Sequence, residues 1–114
     1  MNLKILSVHS LKQILSEEKK PLIIDLRSHE DYQADHIPGA IWHDWESVEE
    51  EIPSIIARYA QEQGTQMLKN FWIICYCDHG NISLLVARDL ARLGYSVMSL
   101  NGGWASWQNT LEIE

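Results

Sequence analysis

The chain has 114 residues, of which 46% are hydrophobic and 22% charged, usage that fits one globular domain with one core. Its 16 acidic against 9 basic residues leave a net charge of −7, which repels nucleic acid and anionic membrane surfaces at long range. No apolar run approaches the ~20 residues that span a bilayer, and the N-terminus lacks a signal-peptide pattern. A single cytoplasmic domain over residues 1–114 is expected, with no nucleic-acid or membrane partner.

Along the chain, Leu3 to Leu6 is a short apolar run. Ser7 follows as an N-cap, and Leu11, Ile14 and Leu15 recur at helical spacing, so a strand leads into a helix ending near Glu18. Lys19, Lys20 and Pro21 break that helix. Leu22 to Leu26 is a continuous apolar run of the kind that fills a parallel sheet buried on both faces. Ser28 to Tyr32 predicts a helical turn, His36 to Gly39 a reversal, and Ala40 to Trp42 a short strand.

From Val48 to Glu62, Ile52, Ile55, Ile56 and Tyr59 recur at three and four, which predicts an amphipathic helix with Pro53 in its first turn. The acidic run Glu46 to Glu51 reads as the solvated start of that helix, where negative charge suits the dipole. Gly64 to Asn70 is loop-like, and Phe71 to Tyr76 is a third buried strand. Ser83 to Leu93 predicts a helix apolar around much of its girth and capped by Gly94. Tyr95 to Leu100 forms a last strand, Asn101 to Gly103 a turn, and Trp104 to Thr110 a terminal helix. Strands alternating with helices define an α/β fold with a mainly parallel sheet covered on both faces.

The two cysteines, Cys75 and Cys77, are two residues apart. They make no disulfide framework for a secreted domain. They share a strand face at a Cα separation of ~6.5 to 7 Å, the outer limit for an undistorted bridge, so Cys75 reads as inert core rather than resolving thiol. No paired Cys/His pattern is present and the five histidines lack ligand spacing, so no structural metal is expected; no cofactor is expected either.

Cys77 differs from Cys75 because an apolar strand runs directly into it, followed by a short turn and a helix. Gly80 permits the tight curl, and a helix starting near Ser83 would aim free backbone N–H groups and its positive dipole end at the sulfur. Under such a field the nucleophilic thiolate forms more easily at neutral pH. This favours a reactive thiol over a buried structural one.

Three segments together resemble the rhodanese-like domain. They are Asp25-Leu-Arg27 with Tyr32 and His36-Ile-Pro-Gly-Ala40; Cys77-Asp-His-Gly80-Asn-Ile-Ser83; and Gly94-Tyr95 followed by Leu100-Asn-Gly-Gly103-Trp-Ala-Ser-Trp107. Each is weak alone; their joint order and spacing across nearly the whole chain is specific. The resemblance implies a five-stranded parallel sheet flanked by helices, with the active cysteine at a strand's carboxyl end. It further implies a sulfurtransferase in which Cys77 takes sulfane sulfur from a donor, holds it as a persulfide and passes it to a thiol or other nucleophile. Asp78, His79, Gly80, Asn81, Ile82 and Ser83 would form the backbone N–H cradle. A nest of N–H donors suffices for a terminal anionic sulfur. Phosphatase relatives have a loop one residue longer; Cys77 to Ile82 gives the shorter, sulfur-transfer form.

The chain also departs from the family. Ile82 stands where many members have Arg, Asp35 where Gly is usual, and the loop has no Arg or Lys. Asp78 next to the nucleophile should weaken thiosulfate binding and raise the thiol pKa. His79 either supplies a positive charge near its ordinary titration range or simply faces solvent. Asp25 and Arg27 either line the site or form an ion pair bracing the sheet edge; the ion pair is the preferred reading.

Partners are then a small sulfur donor, a thiol acceptor or a protein persulfide, with oligomeric state open. The competing function is a degenerate rhodanese-fold binding or regulatory module. Of five tryptophans, Trp72 and Trp107 read as core. Trp42, Trp45 and Trp104 are either core or an exposed rim for a partner.

Overall fold

A computed structural model describes residues 2–18, 20–64 and 71–113. Ten elements alternate in chain order: β1 (Leu3–Leu6), α1 (Val8–Leu15), β2 (Leu22–Asp25), α2 (His29–Ala34), β3 (Ile41–Trp42), α3 (Val48–Gln63), β4 (Ile73–Tyr76), α4 (Asn81–Arg92), β5 (Val97–Leu100) and α5 (Gly103–Ile113). The five strands form one sheet in the order β1-β5-β4-β2-β3. Every pairing is parallel. The α/β fold expected from the alternating pattern is therefore present.

The apolar runs bury both faces of the central strands. All four residues of β2 and of β4 are buried, which is why neither shows a polar alternation in sequence. On one face Leu22, Ile24, Ile73, Cys75 and Val97 pack against Val48, Ile52 and Ile55 of α3 and Val86, Ala87 and Leu90 of α4. On the other face Ile23, Ile74, Tyr76 and Leu100 pack against Val8 and Leu11 of α1 and Trp107 of α5. Burying a Leu or Ile side chain contributes about 1.5–3 kcal/mol, so these two layers set the sheet's position between the helices.

Local signals explain most element starts. Ser7 Oγ accepts the Ser10 N–H at 3.0 Å and opens α1. Ser28 Oγ accepts the Asp31 N–H at 3.1 Å and opens α2, which runs two residues beyond the expected turn. Glu49, Glu50 and Glu51 occupy the first turn of α3, as the dipole favours.

Several boundaries differ from expectation. α1 ends at Leu15, because Ser16 Oγ donates to the Gln13 carbonyl at 2.6 Å and closes the last turn. Pro53 lies in the second turn of α3 rather than the first. The carbonyl it deprives of a donor is that of exposed Glu49, where solvent can replace it. β4 begins at Ile73, leaving Phe71 and Trp72 as its approach. Most of the expected Gly64–Asn70 loop lies outside the described residues. α4 buries a single face, Ser83, Val86, Ala87, Leu90 and Ala91. Leu84, Leu85 and Leu93 are exposed, so the helix is amphipathic rather than apolar all round.

Candidate active site

Cys77 follows β4 directly and is 4% exposed. Its chain then turns through Asp78, His79 and Gly80 into α4. Gly80 has φ +104°, a conformation that costs a residue with a Cβ but not glycine. The turn brings main-chain donors back onto the sulfur: Cys77 Sγ accepts the N–H of Gly80 at 3.2 Å and of Ser83 at 3.3 Å. α4 starts at Asn81, two residues earlier than expected, so Ser83 sits inside its first turn. The N–H groups of Asp78, His79, Asn81 and Ile82 meet no acceptor among the described residues. Four donors are thus available around the same loop.

The Gly-Gly turn holds this loop from behind. The Trp104 N–H donates to the Cys77 carbonyl at 2.8 Å and the Ala105 N–H to the Asp78 carbonyl at 3.0 Å. A Cβ on Gly103 would lie 2.3 Å from the Cys77 carbonyl oxygen. Only glycine lets the start of α5 approach so closely. The sequence places Gly103 in a turn, and the one local signal for this contact is the Gly-Gly pair before the terminal helix.

Side chains add little charge. Asp78, His79 and Asn81 are exposed, Ile82 is half-buried, and the Asp78 and His79 side chains make no hydrogen bond among the described residues. Ser83 is fully buried; its hydroxyl lies 3.5 Å from Cys77 Sγ and 2.8 Å from the hydroxyl of Ser99 on β5. Ser99 was not among the expected site residues, because a lone serine in an apolar strand carries no sequence signal. Cys75 donates its thiol to the Ser83 carbonyl at 3.4 Å, and burial, then the neighbouring Cys77, pushes it far above the ordinary thiol range. Such a thiol is a poor nucleophile.

Asp25 and Arg27 pair in the interior, on the face opposite Cys75. Arg27 Nη2 donates to Asp25 Oδ2 at 2.8 Å and to the Asp35 carbonyl at 2.7 Å. Tyr76 Oη donates to Asp25 Oδ2 at 2.5 Å and accepts the Ile37 N–H at 3.2 Å. The guanidinium lies 4.2 Å from the Trp104 ring centroid. Burial opposes its charge, but the hydrogen bond and charge of Asp25 outweigh that and hold Arg27 above its ordinary value. The pair stands at the end of β2, next to the central strand β4, rather than at a sheet edge. Asp35 has φ −169°, extended backbone that needs no glycine, so its departure from the family pattern carries no strain.

The three tryptophans do not form a rim. Trp42 Nε1 donates to the Arg27 carbonyl at 2.8 Å, and Trp104 covers Arg27. Trp45 alone is exposed, beside a cleft with Val48, Leu85 and Val86 edged by Glu46, Glu49 and Asp89. Among the described residues no group of three His, Cys, Asp or Glu side chains could hold a metal, and no helix is long and apolar enough to cross a membrane.

A parallel five-stranded α/β sheet with a thiol curled into main-chain N–H groups at a strand's carboxyl end defines a class of cysteine-loop domains. The rhodanese-like domain family matches residues 7–110. The chain belongs to that family. It is 34% identical over 91 residues to a tRNA sulfurtransferase of Desulfurococcus amylolyticus, covering 80% of this chain and 16% of that protein. It is 31% identical over 98 residues to the thiosulfate sulfurtransferase GlpE of Pseudomonas savastanoi, covering 85% of this chain and 81% of that one. In fold it resembles a rhodanese-like domain protein from Staphylococcus aureus, with TM-score 0.72 and 23% identity over 94% of this chain and 91% of the other.

Proposed function

We propose that the chain is a sulfurtransferase that carries sulfane sulfur as a persulfide on Cys77 and delivers it to a thiol or other nucleophile. The observation that carries the proposal is the pair of main-chain contacts from Gly80 and Ser83 to Cys77 Sγ, at 3.2 and 3.3 Å. Donors already directed at a sulfur stabilise its anion without reorganising. The unpartnered N–H groups of Asp78, His79, Asn81 and Ile82 would receive the terminal sulfur. Cys77 attacks the donor's sulfane sulfur as a thiolate, and the donor leaves with the bonding electron pair. Names borne by relatives that share most of this chain's length support the class.

Thiosulfate is a poor fit as donor. The loop contains no Arg or Lys, exposed Asp78 adds negative charge, and the Arg27 charge is paired with Asp25, with Nη2 also held by the Asp35 carbonyl. A doubly charged anion therefore meets no guanidinium fork. A low-molecular-weight persulfide, or a protein persulfide, needs none.

Mass spectrometry after incubation with glutathione persulfide is expected to show about 32 Da added at Cys77, much less with thiosulfate, and none in Cys77→Ser. No adduct with either donor would sink the carrier reading and leave a rhodanese-fold binding module in its place.

A further inference from the structure

Ser99 is a polar residue in an otherwise apolar sheet layer. It lies on β5, paired in register with Cys75 of β4 and Ile5 of β1, and it is 2% exposed. Among the described residues its hydroxyl has one partner, Ser83 Oγ at 2.8 Å. A buried hydroxyl proton without an acceptor costs its full desolvation. Ser99 must therefore donate to Ser83, since it has nowhere else to place its proton.

That assignment settles the Ser83 proton. Because Ser83 Oγ receives from Ser99, its own hydrogen has two destinations left, the Gly80 carbonyl at 3.3 Å and Cys77 Sγ at 3.5 Å. With Cys77 as a thiol, the S–H and the Ser99 O–H both donate to Ser83 Oγ, and Ser83 donates to Gly80. With Cys77 as a thiolate, the Ser83 hydroxyl rotates onto the sulfur. The Gly80 carbonyl is not orphaned, because it keeps the Leu84 N–H at 3.1 Å. Each protonation state is thus fully hydrogen-bonded, at the cost of one hydroxyl rotation.

We propose that Ser99 is a positioning residue that commits the Ser83 hydroxyl proton to the loop, where it follows the charge on Cys77. Resting on the persulfide-carrier reading, the device has its effect at delivery. The acceptor thiolate attacks the terminal sulfur, the S–S bond of Cys77 breaks, and its electron pair returns to Sγ as the acceptor becomes a persulfide. Ser99 and Ser83 then donate in series toward the leaving thiolate. The titratable groups around Cys77 are Cys75 beneath it and Asp78 and His79 in the loop; substituting Ser99 removes none of them.

The test is the pH profile of Cys77 alkylation by iodoacetamide, with the site located by peptide mass spectrometry. Ser99→Thr keeps the hydroxyl and Ser99→Val removes it at constant shape, both β-branched as strands favour. Ser99→Val is expected to alkylate roughly three- to tenfold more slowly than Ser99→Thr at pH 7, with equal rates at high pH. Ser83→Ala is expected to slow at least as much, and adding Ser99→Val to it to slow nothing further, since Ser99 acts only through Ser83. Coincident threonine and valine profiles, or additive losses, would overturn the proposal. If either β-branched variant fails to fold, Ser99→Ala against the unsubstituted chain gives the same comparison. Alkylation needs no sulfur donor, so a failure of sulfur loading with these profiles separated sinks the carrier reading alone.

Discussion

The carboxyl ends of β4 and β2 lie side by side and carry two polar sites built on opposite plans. At Cys77 the donors are main-chain N–H groups, four more of which have no acceptor among the described residues, and the side chains of Asp78, His79 and Asn81 are exposed. At Asp25 and Arg27 the donors are mostly side chains: the Asp25 carboxylate accepts from Arg27 Nε and Nη2, the Arg27 N–H and Tyr76 Oη, and Arg27 Nη2 also donates to the Asp35 carbonyl. The first site keeps unused hydrogen-bonding capacity beside the Cys77 thiol. The second directs its carboxylate and three of its five guanidinium N–H groups into the fold. The Arg27 charge is neutralised by Asp25 in the interior, so the buried arginine at the end of the neighbouring strand is committed to an ion pair while the Cys77 loop holds no Arg or Lys.

The comparison is broken most strongly at Arg27. Arg27→Met leaves the Asp25 carboxylate buried without its cation, and urea denaturation is expected to show a loss of about 3–5 kcal/mol. Sulfur loading per folded molecule should be unchanged; reduced loading would mean that the cation serves the thiol as well.

Gly103→Ala attacks the other plan. Its Cβ would meet the Cys77 carbonyl oxygen at 2.3 Å and the Asp78 carbonyl oxygen at 2.9 Å, so either the loop or α5 must move. The rate of persulfide formation is expected to fall about tenfold or more, with a stability loss of about 1–3 kcal/mol. An unchanged rate would show that the turn does not position the thiol.

Tyr76→Phe is the mildest. It leaves the Ile37 N–H without its acceptor and should cost about 1–3 kcal/mol at neutral pH. Burial, then the Asp25 hydrogen bond, raises the folded-state phenol far above its ordinary value of 10.0. The folded chain therefore holds that proton more tightly than the unfolded one. This part of the stability is complete below pH 10 and is lost as the pH rises further. The decline is expected to be shallower in Tyr76→Phe; an identical slope would remove Tyr76 from the account.

How much was legible in advance follows from the range of each interaction. Continuous apolar runs at Leu22 and Ile73 declared a doubly buried sheet, because period and length are local properties. Ser7 and Ser28 declared helix starts, since a cap acts within three residues. The girth of α4 was misread because Leu84 and Leu85 are as apolar as Leu90, and only the sheet's position decides which of them is covered. Pro53 was misplaced by one turn, since exposure of the Glu49 carbonyl depends on which side of α3 meets solvent.

The sequence by itself determined the alternation of strands and helices, the position of Cys77 after a buried strand, and the absence of Arg and Lys from its loop. These are statements about neighbours along the chain. Tertiary structure alone decided that Ser99 meets Ser83, that Gly103 backs the Cys77 carbonyl, and that Arg27 lies between Asp25 and Trp104. Each joins segments on different strands or helices, and parallel packing of those elements fixes which side chains share a face. Burial then turns a shared face into an obligation to hydrogen-bond, which no pattern of residue types could announce.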